Sequence, residues 1–231
     1  MNQKPCKGRG LAKGSGCGTE GYYNSLQKGL CPHCWVDWLY NTPEGREYFN
    51  RVKLKAKTET ETKRKRKTTE SKRELMSSDA YRSKVLQPVI NEIARLIDYG
   101  QPCIASGVTS GKFAGGHLIS VGANRASALN LHNIHIQAYH SNGPQGGQPL
   151  EYLAGIKQNY GNDYADYLLS FRGYSNANRI TKQQMTEAYP KAKRVRNWLR
   201  KNKAIRPPVK RIRMRNLVNQ YLGIYEDRFR L

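Results

Sequence analysis

Cys6, Cys17, Cys31 and Cys34 lie within the first 34 residues, a segment too short to bury a core of its own. A crosslink must therefore supply its folding free energy, and this constrains the chain more than any other single feature. The opening MNQKPCKGRG has no apolar stretch of the kind a secretory signal needs, so a cytoplasmic location is expected. In a reducing compartment such a cluster reads as a metal site in preference to two disulfides, with free or redox-active thiols as the alternative. Cys31-Pro32-His33-Cys34 is a CxxC knuckle, whose tight turn lets two thiolates share one ion. Ten residues separate Cys6 from Cys17, and Gly8, Gly10, Gly14 and Gly16 among them permit an arch that brings both sulfurs to one tetrahedral structural Zn²⁺. WVDWLY at 35–40 supplies aromatic side chains for a small core over this lobe.

Charge sets the next limit. The 231 residues carry 40 Lys+Arg against 17 Asp+Glu, a formal +23, and such self-repulsion calls for a polyanionic partner. No run of about 18 apolar residues exists, which excludes a transmembrane helix, and the basic runs lack the apolar face of a membrane-surface helix. Nucleic acid is thus the expected partner.

The excess is concentrated. After the zinc lobe (1–42), residues 43–78 form a basic connector with KRKRK at 63–67 and few apolar positions, so it is either a solvated helix or disordered chain. Lys63, Arg64, Lys65, Arg66 and Lys67 are candidate phosphate contacts there. The second basic segment is a C-terminal tail (176–231), in which Arg179 to Arg215 hold 14 Lys/Arg and one acid, Glu187. An amphipathic helix over 183–203 that tracks a DNA backbone is expected, broken by Pro207-Pro208, with Lys193, Arg194, Arg196 and Arg200 as contacts.

Between them lies a folded domain, 79–175. Ser78-Asp79 is a helix-capping pair, and Val85, Leu86, Val89, Ile90, Ile93, Leu96 and Ile97 recur at helical spacing, with Pro88 expected to kink or restart the helix. Leu150 to Tyr174, with Tyr152, Tyr160, Tyr164 and Tyr167, reads as a helix pair whose tyrosines are core.

The chemistry-bearing residues are in the middle of this domain. Four of the five histidines, His117, His132, His135 and His140, fall in a 24-residue window. His117, Asn133 and Asn142 follow one another in the order His–Asn–(His/Asn), with nine residues from Asn133 to Asn142. PCIASG (102–107), GGHLIS (115–120), NIHIQ (133–137), AYHSN (138–142) and LEYL (150–153) complete the pattern.

That order resembles the HNH, or ββα-metal, nucleases. Residues 101–170 are more closely similar to the phage recombination family NinG, also called Rap, whose members include Holliday-junction nucleases. Its pattern runs PC-x-x-C-G, AGH-[FY], N-[IV]-H-x-Q, C-x-x-C-N and a tyrosine-containing helix. This chain departs from it at the central knuckle. Cys103 remains, but Ser106, Ala138 and Ser141 stand at the other three positions. One thiolate cannot hold a structural zinc, so the hairpin must be held by packing, with Phe113, Leu118, Ile119, Leu129, Leu131 and Ile134 as candidates and Cys103 as a small buried hydrophobe. Gly116, not an aspartate, precedes His117.

The resemblance implies an α+β architecture: a small N-terminal zinc-binding lobe, a helical connector, and a ββα-metal (HNH or His-Me finger-like) nuclease domain with flanking helices. It implies an endodeoxyribonuclease that hydrolyses branched DNA in a phage or phage-derived setting. His117 would take a proton from the attacking water, since imidazole titrates near neutrality. Asn133 would orient that ring through its side-chain carbonyl, with His135 as a third catalytic position. Asn142 and His140 would hold one divalent ion, Mg²⁺ or Mn²⁺, and Arg125 would clamp a neighbouring phosphate. Symmetric junction resolution calls for two active sites and hence a homodimer. The alternatives are a non-catalytic DNA-binding or structural protein that kept the fold, and a zinc-ribbon accessory factor that would leave the histidine block idle.

Overall fold

In a computed structural model of the chain, residues 3–23, 27–143, 146–175, 179–225 and 228–231 are described. They form an α+β structure, mostly helical, with two small antiparallel sheets among the described residues. Two compact units divide it, Met1–Glu74 and Leu75–Leu231. No helix among the described residues is long and apolar enough to cross a membrane.

In the first unit, strands β1 (Lys4–Pro5) and β2 (Glu20–Gly21) pair and return the glycine arch on itself. Gly16 is required there, because a Cβ would collide with the Cys6 carbonyl. Cys31 caps helix α1 (Pro32–Asn41): its sulfur accepts the Cys34 N–H at 3.4 Å, and Pro32 sits at the first turn, where no N–H is needed. Leu30, Trp38 and Leu39 are buried with Cys6 and Ala12, and Trp35, Tyr48 and Phe49 pack around them. The connector is helical: α2 runs Pro43–Glu74, 32 residues and about 48 Å at a rise of about 1.5 Å per residue. Beyond Phe49 its side chains are almost all exposed, including Lys63 to Lys67. Thr58, Thr60 and Thr62 donate their hydroxyls to the carbonyls four residues back, satisfying groups that would otherwise compete with the helix.

The second unit is organised on α4 (Gln87–Ile97). Ser77 caps the short α3 (Ser78–Tyr81), and the chain then widens into a π turn over Arg82–Leu86, where the Gln87 N–H bonds the Arg82 carbonyl. Pro88 explains this: it has no N–H to offer the turn before it, so the helix loosens and restarts. Val89, Ile90, Ile93, Ala94, Leu96 and Ile97 are all buried, against Met185, Ala188, Ala192 and Leu199 of α8 (Lys182–Lys201) and Val218 and Leu222 of α9 (Pro208–Leu222). Separating a 79–175 domain from a 176–231 tail is therefore corrected. The basic helices complete the core, because each has an apolar face as well as its charges. Thr181 and Gln184 make a reciprocal capping box at the start of α8, and Pro207-Pro208 separates the two helices.

Strands β3 (Phe113–His117) and β4 (Ile134–Ala138) pair antiparallel, with His117 opposite Ile134 and Gly116 opposite His135. A one-turn helix, α5 (Tyr139–Asn142), follows β4, and α6 (Pro149–Tyr160) and α7 (Asn162–Ser170) are the expected helix pair. Tyr152, Ile156, Tyr164, Leu168 and Phe171 form a second core with Leu118, Ile119 and Ile212.

One buried carboxylate joins these parts. Asp98, at the end of α4, accepts Arg215 Nη2 on both oxygens (2.8 and 2.7 Å), the Ile136 N–H of β4 at 3.0 Å and the Tyr160 hydroxyl at 3.4 Å. Arg215 Nε also donates to the Leu131 carbonyl. Removing one partner leaves an uncompensated buried charge, so Asp98→Ala is expected to cost about 3–5 kcal/mol. Urea unfolding followed by circular dichroism measures this. The double replacement Asp98→Leu with Arg215→Met should recover part of the loss, since the buried Arg211, 3.7 Å from Asp98, keeps its charge, and equal, additive losses would show that the pair is not coupled.

Candidate functional site

The first site is the cysteine cluster. The four sulfurs lie within 4.8 Å of one another, and those of Cys17 and Cys31 are 3.8 Å apart. A tetrahedral ion with Zn–S bonds of about 2.3 Å has S–S edges of about 3.8 Å, so the arrangement fits one zinc. All four are free thiols, and the Cys31 N–H points at the Cys6 sulfur at 3.1 Å, the sort of bond that stabilises a thiolate ligand. The residues expected to hold zinc are thus brought together.

The second is the hairpin around His117. The ring's Nε2 lies 2.9 Å from the Ala128 carbonyl, which can only accept, so Nε2 carries the proton and Nδ1 is the free acceptor. Gln87 Nε2 approaches the same nitrogen at 3.3 Å and donates to Asn91 Oδ1. Burial chiefly, with a smaller contribution from the Arg82 charge, holds the His117 pKa below its ordinary value, against the opposing bond to Ala128. The imidazole is therefore neutral at pH 7. His117 lines a cavity of about 420 Å³ with Ser120, Asn124, Gly147 and Arg172. Asn124 fixes one wall by donating to the Phe171, Arg172 and Tyr174 carbonyls.

Two expected catalytic residues occupy other positions. Asn133 is fully buried and does not meet the His117 ring. Its Oδ1 accepts the Ile119 N–H and its Nδ2 donates to the Ile119 and Ser127 carbonyls, so it shapes the loop after β3, and the Ala128 carbonyl orients the imidazole instead. His135 is also buried, ringed by Tyr152, Tyr160 and Tyr164, and cannot touch a substrate. Tyr152 gives its proton to the Gly116 carbonyl at 3.0 Å, so His135 Nδ1 must donate to the Tyr152 oxygen at 3.1 Å. His135 thereby positions the residue before His117. His132 is buried as well, between Tyr164 and Asn216.

Gly116 is itself constrained. A Cβ there would collide with Gln137 Oε1 and stand 2.9 Å from Asn142 Oδ1. Gln137 Nε2 donates to the Gly147 carbonyl at 2.6 Å, which aims Oε1 at that point, where it is buried without a hydrogen-bond partner. Two amide oxygens thus converge beside the His117 backbone, hard donors of the type a hydrated Mg²⁺ accepts. Gln137 had a signal in NIHIQ that went unused, whereas the Ala128 carbonyl has none in sequence. His140 is exposed on α5 and is not among the residues lining the His117 cavity. Among the described residues, the cysteine cluster is the one group of three or more His, Cys, Asp or Glu placed to hold a metal.

Several of the expected phosphate contacts are engaged within the protein. Arg125 pairs with Asp79 at 2.7 Å, and Arg200 and Arg196 reach Glu92 at 2.6 and 3.9 Å. Lys193 lies over the Tyr189 ring, and Arg194 is exposed.

The family model described as bacteriophage lambda NinG protein matches residues 33–203, well over half of the chain, so the chain belongs to that family. No curated protein and no solved structure is matched.

Metal analysis of the full-length chain should return about one zinc. Chelation should shift the emission of Trp35 and Trp38 to the red; a second zinc would show that the central knuckle still binds. The buried histidines add a pH dependence. Burial, then the Arg215 charge, push the His132 pKa down to about 3, against its bond to Asn216. In the unfolded chain it is about 6.5. Between these values the unfolded state binds a proton that the folded state refuses, so stability falls as pH drops, by about 2 kcal/mol at pH 5 from His132 alone. Urea midpoints at pH 7 and 5 measure this, and His132→Gln should flatten the dependence by about one proton.

Proposed function

We propose that this NinG-family chain is a metal-dependent endonuclease of phage recombination that cuts branched DNA such as four-way junctions. The observation that carries the reading is the His117 ring, neutral, with Nε2–H held by a backbone carbonyl and Nδ1 left as an acceptor beside a cavity that also has Arg172 on its wall. A water would give its proton to His117 Nδ1 as its oxygen attacks the scissile phosphorus. The P–O3′ bond then breaks and the leaving oxygen takes a proton from solvent, giving a 3′-hydroxyl and a 5′-phosphate. Arg172 bears positive charge toward the phosphate.

Asn142 Oδ1 and Gln137 Oε1 would hold a Mg²⁺ or Mn²⁺, with water and phosphate oxygens completing its shell. Such an ion neutralises charge on the phosphate and the leaving oxygen when bound. His135 acts through Tyr152 and Gly116 as a positioning residue, and Asn133 keeps the loop after β3 in shape. Exposed Lys63 to Lys67, Lys193 and Arg194 would neutralise flanking phosphates, giving affinity that falls steeply with salt. Two-fold junction resolution would use a homodimer.

A second reading has an observation of its own. Since no carboxylate or second histidine joins His117 in a metal-ready group among the described residues, a DNA-binding protein that does not cut is the competing assignment. Cleavage of a four-way junction with Mg²⁺ or Mn²⁺ distinguishes them. His117→Ala should lower the rate by about 10²–10⁴ while leaving junction affinity unchanged. Junction binding without cleavage under any divalent ion would transfer the assignment to the second reading.

A further inference from the structure

A feature of the second unit lies outside this chemistry. Between α8 and α9 runs a groove of about 510 Å³, lined by Arg194, Val195, Trp198, Met214, Leu217, Val218 and Tyr221. Trp198 is 55% exposed, Leu217 64% and Tyr221 47%, which places three large apolar side chains together on a surface otherwise rich in charge. Isolated exposed apolar residues need no explanation, but a contiguous patch of this kind marks a binding surface.

The charges around it select the occupant. From Ala188 to Tyr225 the sequence has 12 Lys/Arg and no Asp or Glu. On α8, Lys191 and Lys201 share the face of Arg194 at helical spacing, and on α9, Lys210 and Arg213 share that of Leu217. Lys191 Nζ lies 3.9 Å from where a Gly223 side chain would begin, so it closes the groove at the end of α9. Lys201, Lys210 and Arg213 stand toward the other end, and all three are exposed.

We infer that this groove receives an acidic amphipathic helix from a protein partner, with apolar side chains against Trp198, Leu217 and Tyr221 and carboxylates toward the basic rim. Lys191 to Lys201 span about 15 Å, room for roughly ten helical residues. A second copy of this chain fits poorly, because a self-complementary pairing would face the basic rim with itself. Nucleic acid fits poorly too, since Val195, Met214, Leu217 and Val218 line most of the groove and offer base edges no hydrogen-bond partner there.

A fluorescein-labelled 12-residue synthetic helix with Leu and Phe along one face and Glu elsewhere is the probe, titrated with the full-length chain and read by polarisation. Saturable binding is expected, together with a change in tryptophan emission. Two control peptides, one with Lys for Glu and one with Ser for the apolar residues, should not bind. Leu217→Ser, at an exposed position that leaves the fold intact by circular dichroism, should weaken the acidic peptide about tenfold and leave junction affinity within about twofold. No saturable binding, or equal binding of the Lys peptide, would overturn the inference. So would a concentration-dependent dimer that Leu217→Ser abolishes, which assigns the groove to a second copy, or a parallel loss of junction affinity, which assigns it to nucleic acid. None of these outcomes depends on whether the chain cleaves DNA.

Discussion

The second unit depends on a single buried carboxylate. Asp98 is 1% exposed and Arg215 fully buried, and around the contact of Arg215 Nη2 with both carboxylate oxygens the end of α4, strand β4, helix α6 and helix α9 meet. Ionised groups placed this deep lose hydration worth several kcal/mol each, so the site is tolerable only because the bonds are so many. It also fixes geometry. Asp98 takes the Ile136 N–H, Ile104 takes the Ile136 carbonyl, and β4 cannot slide by a residue without breaking both. His117 is opposite Ile134 in the same ladder, so the ring is placed by an ion pair it never touches.

This anchoring changes the meaning of the chain's charge. Fourteen cations with one acid between Arg179 and Arg215 read, in sequence, as an arm lying on phosphate. In the fold, Arg215 neutralises Asp98, Arg211 stacks over Tyr160, and Arg196 and Arg200 share Glu92. Their partners lie between 51 and 117 residues earlier, beyond the reach of any local pattern. Helix α2 is the opposite case. Lys63 to Lys67 lie on its exposed stretch, away from any core, where a polyanion can reach them.

Local regularities were legible. The CxxC knuckle, the apolar period of α4, the effect of Pro88, the helix pair over 150–174 and the break at Pro207-Pro208 all follow from rules that act within one or two turns. The histidine block was legible as a cluster but not as a set of roles. Successive residues on a strand alternate in direction, and the pairing partner decides which face is wet. Gly116 opposite His135 leaves the His135 side chain among the tyrosines of α6 and α7, whereas His117, at the end of its strand, lines a cavity. A residue type that suits acid–base chemistry therefore serves as a buried brace on the strand paired with the one that carries His117.

One sulfur beside the hairpin ties two of its backbone groups together. The Cys103 sulfur is more than a small hydrophobe: it accepts the Ser106 N–H at 3.4 Å and the Ala138 N–H at 3.1 Å, two bonds directed like those that surround a metal-bound thiolate. They hold its pKa below the ordinary thiol value despite burial. The loop turn and the last residue of β4 are thus tied to one sulfur, which does locally part of what four ligands would do. The remaining constraint comes from Asp98, bonded to Ile136 two residues before Ala138. The buried N–H groups of Ile136 and Ala138 need acceptors, and a carboxylate and a thiol provide them, which holds the end of the hairpin in place.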